Sequence, residues 1–135
     1  MQEDKDLGTV KKKKNILVMD DEEMIGEIVC QMLDYFGFDT VRVTDGVDAI
    51  KEYKKRKDDG APFTAVIMDL TIPGGMGGKE AVTKILDIDR EATVFVSSGY
   101  SVDPIMVNFQ DHGFSGVICK PFDMADMQKT LAPLL

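Results

Sequence analysis

The sequence predicts an α/β fold, a five-stranded parallel sheet doubly wound with helices on both faces, from three observations. Short apolar runs alternate with amphipathic stretches five times along the chain, the pattern in which each connecting helix crosses over the sheet between parallel strands. The run Ala65-Val66-Ile67-Met68 is apolar throughout rather than alternating, as a strand covered on both faces requires. Four of the five runs then finish in a polar group, at Asp20-Asp21, Asp69, Ser98 and Lys120.

At 135 residues the chain is a single domain long enough for a core. Residues 1–14 are polar and aperiodic, with Glu3, Asp4 and Asp6 ahead of the lysines at 11–14, and read as a solvated tail or linker before a domain over 15–135. Asn15–Met19 is the first strand. The acids Asp20 to Glu23 then fall in the first turn of a helix, where the dipole favours them. That helix carries Ile25, Ile28, Val29, Met32, Leu33 and Phe36 at spacings of three and four, and Gly37 closes it in a left-handed conformation. Thr40–Val43 is the second strand. A second helix runs from about Asp45 to Lys57 with Val47, Ile50 and Tyr53 inward and lysines outward. After a loop over 58–62, the central strand Phe63–Met68 delivers Asp69 to its end, and Pro73-Gly74-Gly75 breaks the chain into a turn. A third helix spans Gly78 to Leu86, and Thr93–Ser97 is the fourth strand. Pro104, at the favoured first-turn position, opens a fourth helix with Ile105 and Phe109 reaching about His112. Gly116–Cys119 is the fifth strand, and Met124 to Ala132 the last helix, with Met127, Leu131 and Leu134 on one side.

A net charge of −8 disfavours nucleic acid and anionic membrane surfaces as direct partners. No apolar run approaches the roughly 20 residues of a membrane span, and no apolar segment follows the N-terminal charges as in a signal peptide. Cys30 and Cys119 lie in apolar patterns without CxxC spacing, and are expected as buried free thiols of a cytoplasmic protein. The methionines, Met19, Met32, Met68 and Met127 among them, occupy core positions. His112 is a helix-end residue suited to the dipole rather than to base catalysis.

All strands of a parallel sheet end at one edge, and ligands bind in the crevice outside those ends. Asp20, Asp21, Asp69, Ser98 and Lys120 therefore converge. A carboxylate at the end of a buried strand needs a partner, and three in one crevice repel until one takes a proton or a cation settles among them. Hard oxygen donors without histidine or paired cysteines suit Mg²⁺ or Mn²⁺ rather than zinc. A carboxylate beside such a cation can act as a nucleophile on phosphorus and give an aspartyl phosphate. A lysine opposite can pair with one phosphoryl oxygen and a serine hydroxyl can donate to another. Strand-end geometry favours Ser98 over Ser97 and Ser101 for that role. Tyr100 borders the same place, either as a shield or as a packing residue. Taken singly, Asp20-Asp21 would suit helix capping and Lys120 the surface; their common register outweighs those readings.

The ordered set resembles the receiver domain of two-component response regulators over Asn15 to Leu135. It is carried by Asp20-Asp21 after Ile16-Leu17-Val18-Met19, by Met68-Asp69-Leu70, by Ser98-Gly99-Tyr100, and by Lys120-Pro121-Phe122, with 29 residues from Asp69 to Ser98 and 22 from there to Lys120. The resemblance implies a flavodoxin-like sheet in the order 2-1-3-4-5. It implies that Asp69 accepts a phosphoryl group from the phosphohistidine of a histidine kinase or histidine phosphotransfer protein. Asp21, Asp69 and the Thr71 backbone carbonyl would ligate Mg²⁺, with Asp20 acting partly through water, and Ser98 and Lys120 would engage the phosphoryl group. A cis Lys120-Pro121 bond is implied as well. On this reading the chain is a signalling module rather than an enzyme, beyond self-phosphorylation and autodephosphorylation. Two departures stand out. Val117 occupies the place, three before the lysine, where the family commonly has an aromatic switch residue. The loop Pro73–Gly78 is one residue longer and richer in glycine than usual, which most resembles receivers attached to hybrid sensor histidine kinases.

Other readings fit less well. A nucleotide-binding loop ending at Gly78-Lys79 would need glycine at Pro73 and Ser or Thr at Glu80. Phosphohydrolases resembling the haloacid dehalogenase superfamily carry the nucleophile on the first core strand with a second Asp two residues on; here it is on the third, followed by Thr71. A degenerate receiver serving only for docking is disfavoured by the intact acid set.

Overall fold

In the computed structural model, which describes residues 14–135, the five apolar runs become strands β1 (Asn15–Met19), β2 (Asp39–Val43), β3 (Ala65–Asp69), β4 (Val94–Ser98) and β5 (Gly116–Cys119). They form one parallel sheet in the order β2-β1-β3-β4-β5. The helices are α1 (Glu23–Tyr35), α2 (Gly46–Asp58), α3 (Gly78–Ile88), α4 (Pro104–Val107) and α5 (Met124–Leu131). Of the expected tail, residues 1–13 lie outside the described residues. The Lys14 carbonyl accepts from the Asp39 N–H at 2.9 Å, and its ammonium donates to the Leu134 carbonyl at 2.6 Å.

The two-residue period of a strand sorts the core into two layers. Leu17, Met19, Val66, Met68, Val94 and Val96 pack against Ala49 and Tyr53 of α2 and Ala81, Val82 and Ile85 of α3. Ile16, Val18, Ala65, Ile67, Phe95 and Ile118 pack on the other face against Val29 and Leu33 of α1 and Met127 and Leu131 of α5. Helices on both faces explain why β1 and β3 are continuously apolar. Tyr53, buried on α2, donates to Asp89 Oδ2 just past α3 at 2.8 Å. Burial, then this bond and the Asp89 charge, drive the phenol's pKa far up.

Four expectations are corrected. Val47 is exposed, not inward, because α2 buries the stripe Gly46, Ala49 and Tyr53, with Gly46 held against Met76 and Ala81. Ile28 is exposed likewise, since the buried stripe of α1 is Gly26, Val29 and Leu33. Cys119 is exposed because it closes the edge strand β5, and Cys30, on α1 beside its buried stripe, is half-buried. The fourth helix is not continuous to His112. It stops at Val107, and Asn108, at φ −109° and ψ 41°, leaves the helical region before a separate 3-10 turn over Phe109–His112. Gly37 does close α1 at φ 93°, and Lys120-Pro121 is cis.

The loop after β3 uses its glycines in two ways. Gly74 has φ 76°, a left-handed conformation that side chains disfavour. Gly77 permits close approach: a Cβ there would run into the Leu70 carbonyl oxygen. Gly77→Ala is therefore expected to cost about 2 kcal/mol, read as a lower urea midpoint at unchanged slope.

Candidate functional site

Side-chain alternation explains how the sheet assembles its charged edge. On β1 the residues facing α1 and α5 are Ile16 and Val18, and the next on that side is Asp20. On β3 they are Ala65, Ile67 and then Asp69, and on β5 Ile118 and then Lys120. Three charged groups from three strands thus share one face of one edge. Lys120 Nζ donates to Asp20 Oδ2 at 3.1 Å and to Asp69 Oδ2 at 3.2 Å, with Glu22 Oε1 4.0 Å away. Asp20 is only 4% exposed. Its Oδ1 accepts from the Glu22 N–H at 2.9 Å, and its main-chain carbonyl accepts from Arg42 Nη2 at 3.3 Å. The Thr71 N–H lies 3.5 Å from Asp69 Oδ1, a long contact.

One ammonium cannot neutralise this edge. Carboxylate oxygens of Asp20, Asp21 and Asp69 lie within 4.8 Å of one another, with Asp21 exposed to solvent. The donor set is all oxygen and open on one side, which fits a hard divalent cation and leaves room for its waters. The electrostatics agree. Burial, with repulsion from Asp20, holds the Asp69 pKa above the ordinary carboxylate value even though Lys120 pulls the other way. Burial opposes the Lys120 ammonium, but Asp69 and Asp20 together outweigh it and hold its pKa above the usual lysine value.

Ser98 closes β4 and is buried. Its carbonyl accepts from the Lys120 N–H at 2.9 Å, and its hydroxyl accepts from the Tyr100 N–H at 3.1 Å. Tyr100 itself is 75% exposed, so the packing role left open for it does not hold in this conformation. Val117 pairs with Val96 and packs on the α2–α3 face, across the sheet from Lys120. Two contacts at this edge were not anticipated, the Glu22 N–H and the Arg42 guanidinium on Asp20. The first carries no pattern beyond an acidic run. The second depends on Gly26, where a Cβ would strike the Arg42 side chain, a contact between α1 and β2 with no local signature.

Comparison with known proteins settles the class. The response regulator receiver domain model matches residues 16–132. The chain belongs to this family. The receiver is 29% identical to the chemotaxis protein CheY of Treponema pallidum, over 89% of this chain and 81% of that protein. It is 24% identical to transcription factor SKN7 of Saccharomyces cerevisiae over 91% of this chain, yet spans only 19% of that protein's length. Its fold matches the receiver domain of sensor histidine kinase PA1611 from Pseudomonas aeruginosa at a TM-score of 0.78 and 21% identity, covering 90% of this chain and 97% of that one. As a receiver domain the chain is a signalling module.

Proposed function

We propose that this receiver takes a phosphoryl group from phosphohistidine onto Asp69 and relays or switches a two-component signal, with residues 15–135 acting as one module. The observation that carries the reading is Lys120 bridging Asp69 and buried Asp20 beside the third carboxylate of Asp21. An Asp69 oxygen attacks phosphorus, the P–N bond of the donor breaks, and the departing imidazole keeps its ring proton or gains one from water. Burial keeps the carboxylate basic and so a better nucleophile once ionised. Lys120 moves from the two carboxylates to a phosphoryl oxygen. Ser98 gives up the Tyr100 N–H and turns its hydroxyl to another, which frees the Gly99-Tyr100 loop to change shape. With Val117 in place of an aromatic, that loop carries the readout.

Asp20, Asp21, Asp69 and the Thr71 carbonyl are the groups that would hold Mg²⁺ or Mn²⁺; the PA1611 receiver has a magnesium ion coordinated in its active-site cleft. When bound, the ion neutralises charge on the transferring group. Among the described residues no helix is long and apolar enough to cross a membrane, and free Cys30 and Cys119 suit a reducing compartment. We accordingly place the module in the cytoplasm.

The histidine donor, a kinase or a phosphotransfer protein, docks on this reading over a groove of about 520 Å³ lined by Ile25, Ile28, Gly99, Lys120, Pro121 and Phe122. The groove opens beside the site at Lys120, and Ile28 on its wall is exposed. Ile28→Glu should slow labelling by a phosphorylated histidine phosphotransfer protein on the order of tenfold, while labelling by acetyl phosphate stays unchanged. Equal slowing by both donors would count against the groove.

The function itself is tested by intact mass after incubation with acetyl phosphate and Mg²⁺, beside a chelator control. Gain of one phosphoryl group, lost with the chelator, supports the reading. Catalytic release of phosphate without an adduct would favour a hydrolase, and neither result with the fold intact would leave a docking module.

A further inference from the structure

Ser97 carries a buried hydroxyl outside the set of Asp20, Asp21, Asp69, Ser98 and Lys120. The residue is 4% exposed, and among the described residues its Oγ has no hydrogen-bond partner. An unsatisfied buried hydroxyl is costly, and such groups are few in native proteins. Its place on the sheet is specific. Ser97 pairs in register with Asp69 on one side and with Ile118 on the other. Paired residues of parallel strands project to the same face and sit about 4.8 Å apart. Two residues earlier on β4, Phe95 belongs to the α1–α5 core, as do Ile67 and Ile118. Ser97 therefore shares the face of Asp20, Asp69 and Lys120. Ser98 has the opposite parity, alternating with Val94 and Val96 of the α2–α3 core, and its hydroxyl is engaged by the Tyr100 N–H.

We infer that Ser97 is a second hydroxyl of the phosphoacceptor site, idle in the resting protein and donating to the Asp69 carboxyl once that residue carries a phosphoryl group. This rests on Asp69 being the acceptor. In the resting arrangement Asp69 Oδ2 accepts from Lys120, and among the described residues Oδ1 has only the long Thr71 contact. Phosphorylation draws Lys120 toward the phosphoryl oxygens. The carbonyl oxygen left on Asp69 then loses its donor, and the neighbouring hydroxyl on the same face replaces it. Ser97 acts as a positioning residue, fixing the plane of the acyl phosphate while Lys120 and Ser98 grip the phosphoryl group.

The resting and liganded states make opposite demands, which gives the test. In Ser97→Ala no hydrogen bond is lost at rest and a buried unpaired hydroxyl disappears, so the unliganded variant should melt at or above the wild-type temperature. The same variant should bind beryllofluoride with Mg²⁺, a phosphoryl mimic, on the order of tenfold more weakly, as for loss of one hydrogen bond at a charged site. Ser97→Thr, which keeps the hydroxyl, should recover the binding. Wild-type affinity in Ser97→Ala, or a clear drop in its unliganded melting temperature, would overturn the inference and return Ser97 to the core. Failure of the wild type itself to bind beryllofluoride with Mg²⁺ would instead overturn the acceptor reading, and this inference with it.

Discussion

Asp69→Asn is expected to abolish the gain of a phosphoryl group from acetyl phosphate and, at neutral pH, to raise the melting temperature. The first half follows from chemistry. The carboxamide has the shape of the carboxylate but no nucleophilic oxygen anion, so intact mass should show no adduct at any incubation time. The second half follows from electrostatics. Burial and the Asp20 charge raise the Asp69 pKa in the fold above its ordinary value of 3.8. A raised acid binds its proton more tightly folded than unfolded, so its contribution is most favourable below 3.8 and is lost as pH rises through the folded value. At pH 7 the ionised group therefore costs stability, which the neutral amide recovers. The gain in melting temperature should shrink as pH falls through the raised folded value and the wild-type carboxyl becomes neutral. A thermal-unfolding series across pH checks the sign, and a destabilised variant at pH 7 would show that the Lys120 pairing outweighs burial.

Lys120→Met should have the largest effect on the resting protein. The ammonium serves two carboxylates, and Asp20 among them is almost wholly buried. Removing one partner of a fully buried pair costs roughly 3–5 kcal/mol, mainly through the charge left behind. Here the Lys120 side chain is 18% exposed and Asp69 12%, so solvent screens part of the loss and about 2 kcal/mol is expected. The deficit should be sensitive to divalent cations. With the lysine gone, Mg²⁺ is the remaining counter-charge for Asp20, Asp21 and Asp69, so it should raise the melting temperature of Lys120→Met more than that of the wild type. Equal increments would mean that the lysine and the cation do not share the same carboxylates. Phosphoryl transfer should fall as well, since Lys120 would no longer meet the phosphoryl oxygen. In the wild type the ammonium's own contribution persists at every pH below 10.5 and fades only as pH rises through its raised folded value.

The elements and the charged edge were legible because both depend on local pattern. Apolar runs of strand length, the stripe on α1 and the left-handed Gly37 are written within a few residues, and parallel winding carries the strand ends to one edge whatever the details. What was misjudged depended on neighbours. Val47 and Ile28 suit an apolar stripe by type, but the inward stripes run through Gly46 and Gly26, where small residues let Met76 and Arg42 approach. Asn108 ends a helix that the apolar spacing alone would have continued to His112.

Local pattern alone brings three acids, a serine and a lysine to the strand ends at one edge of a five-stranded parallel sheet, and hence points to the receiver class. Which of those groups touch is set by tertiary packing, through the register of β1 with β3, of β3 with β4 and of β4 with β5. Register between distant strands is set by core packing on both faces, and a shift of one residue reverses every side chain. That is why Lys120 bridges Asp20 and Asp69, why Ser98 is occupied by the loop that follows it, and why Ser97 lies on the side of Asp69.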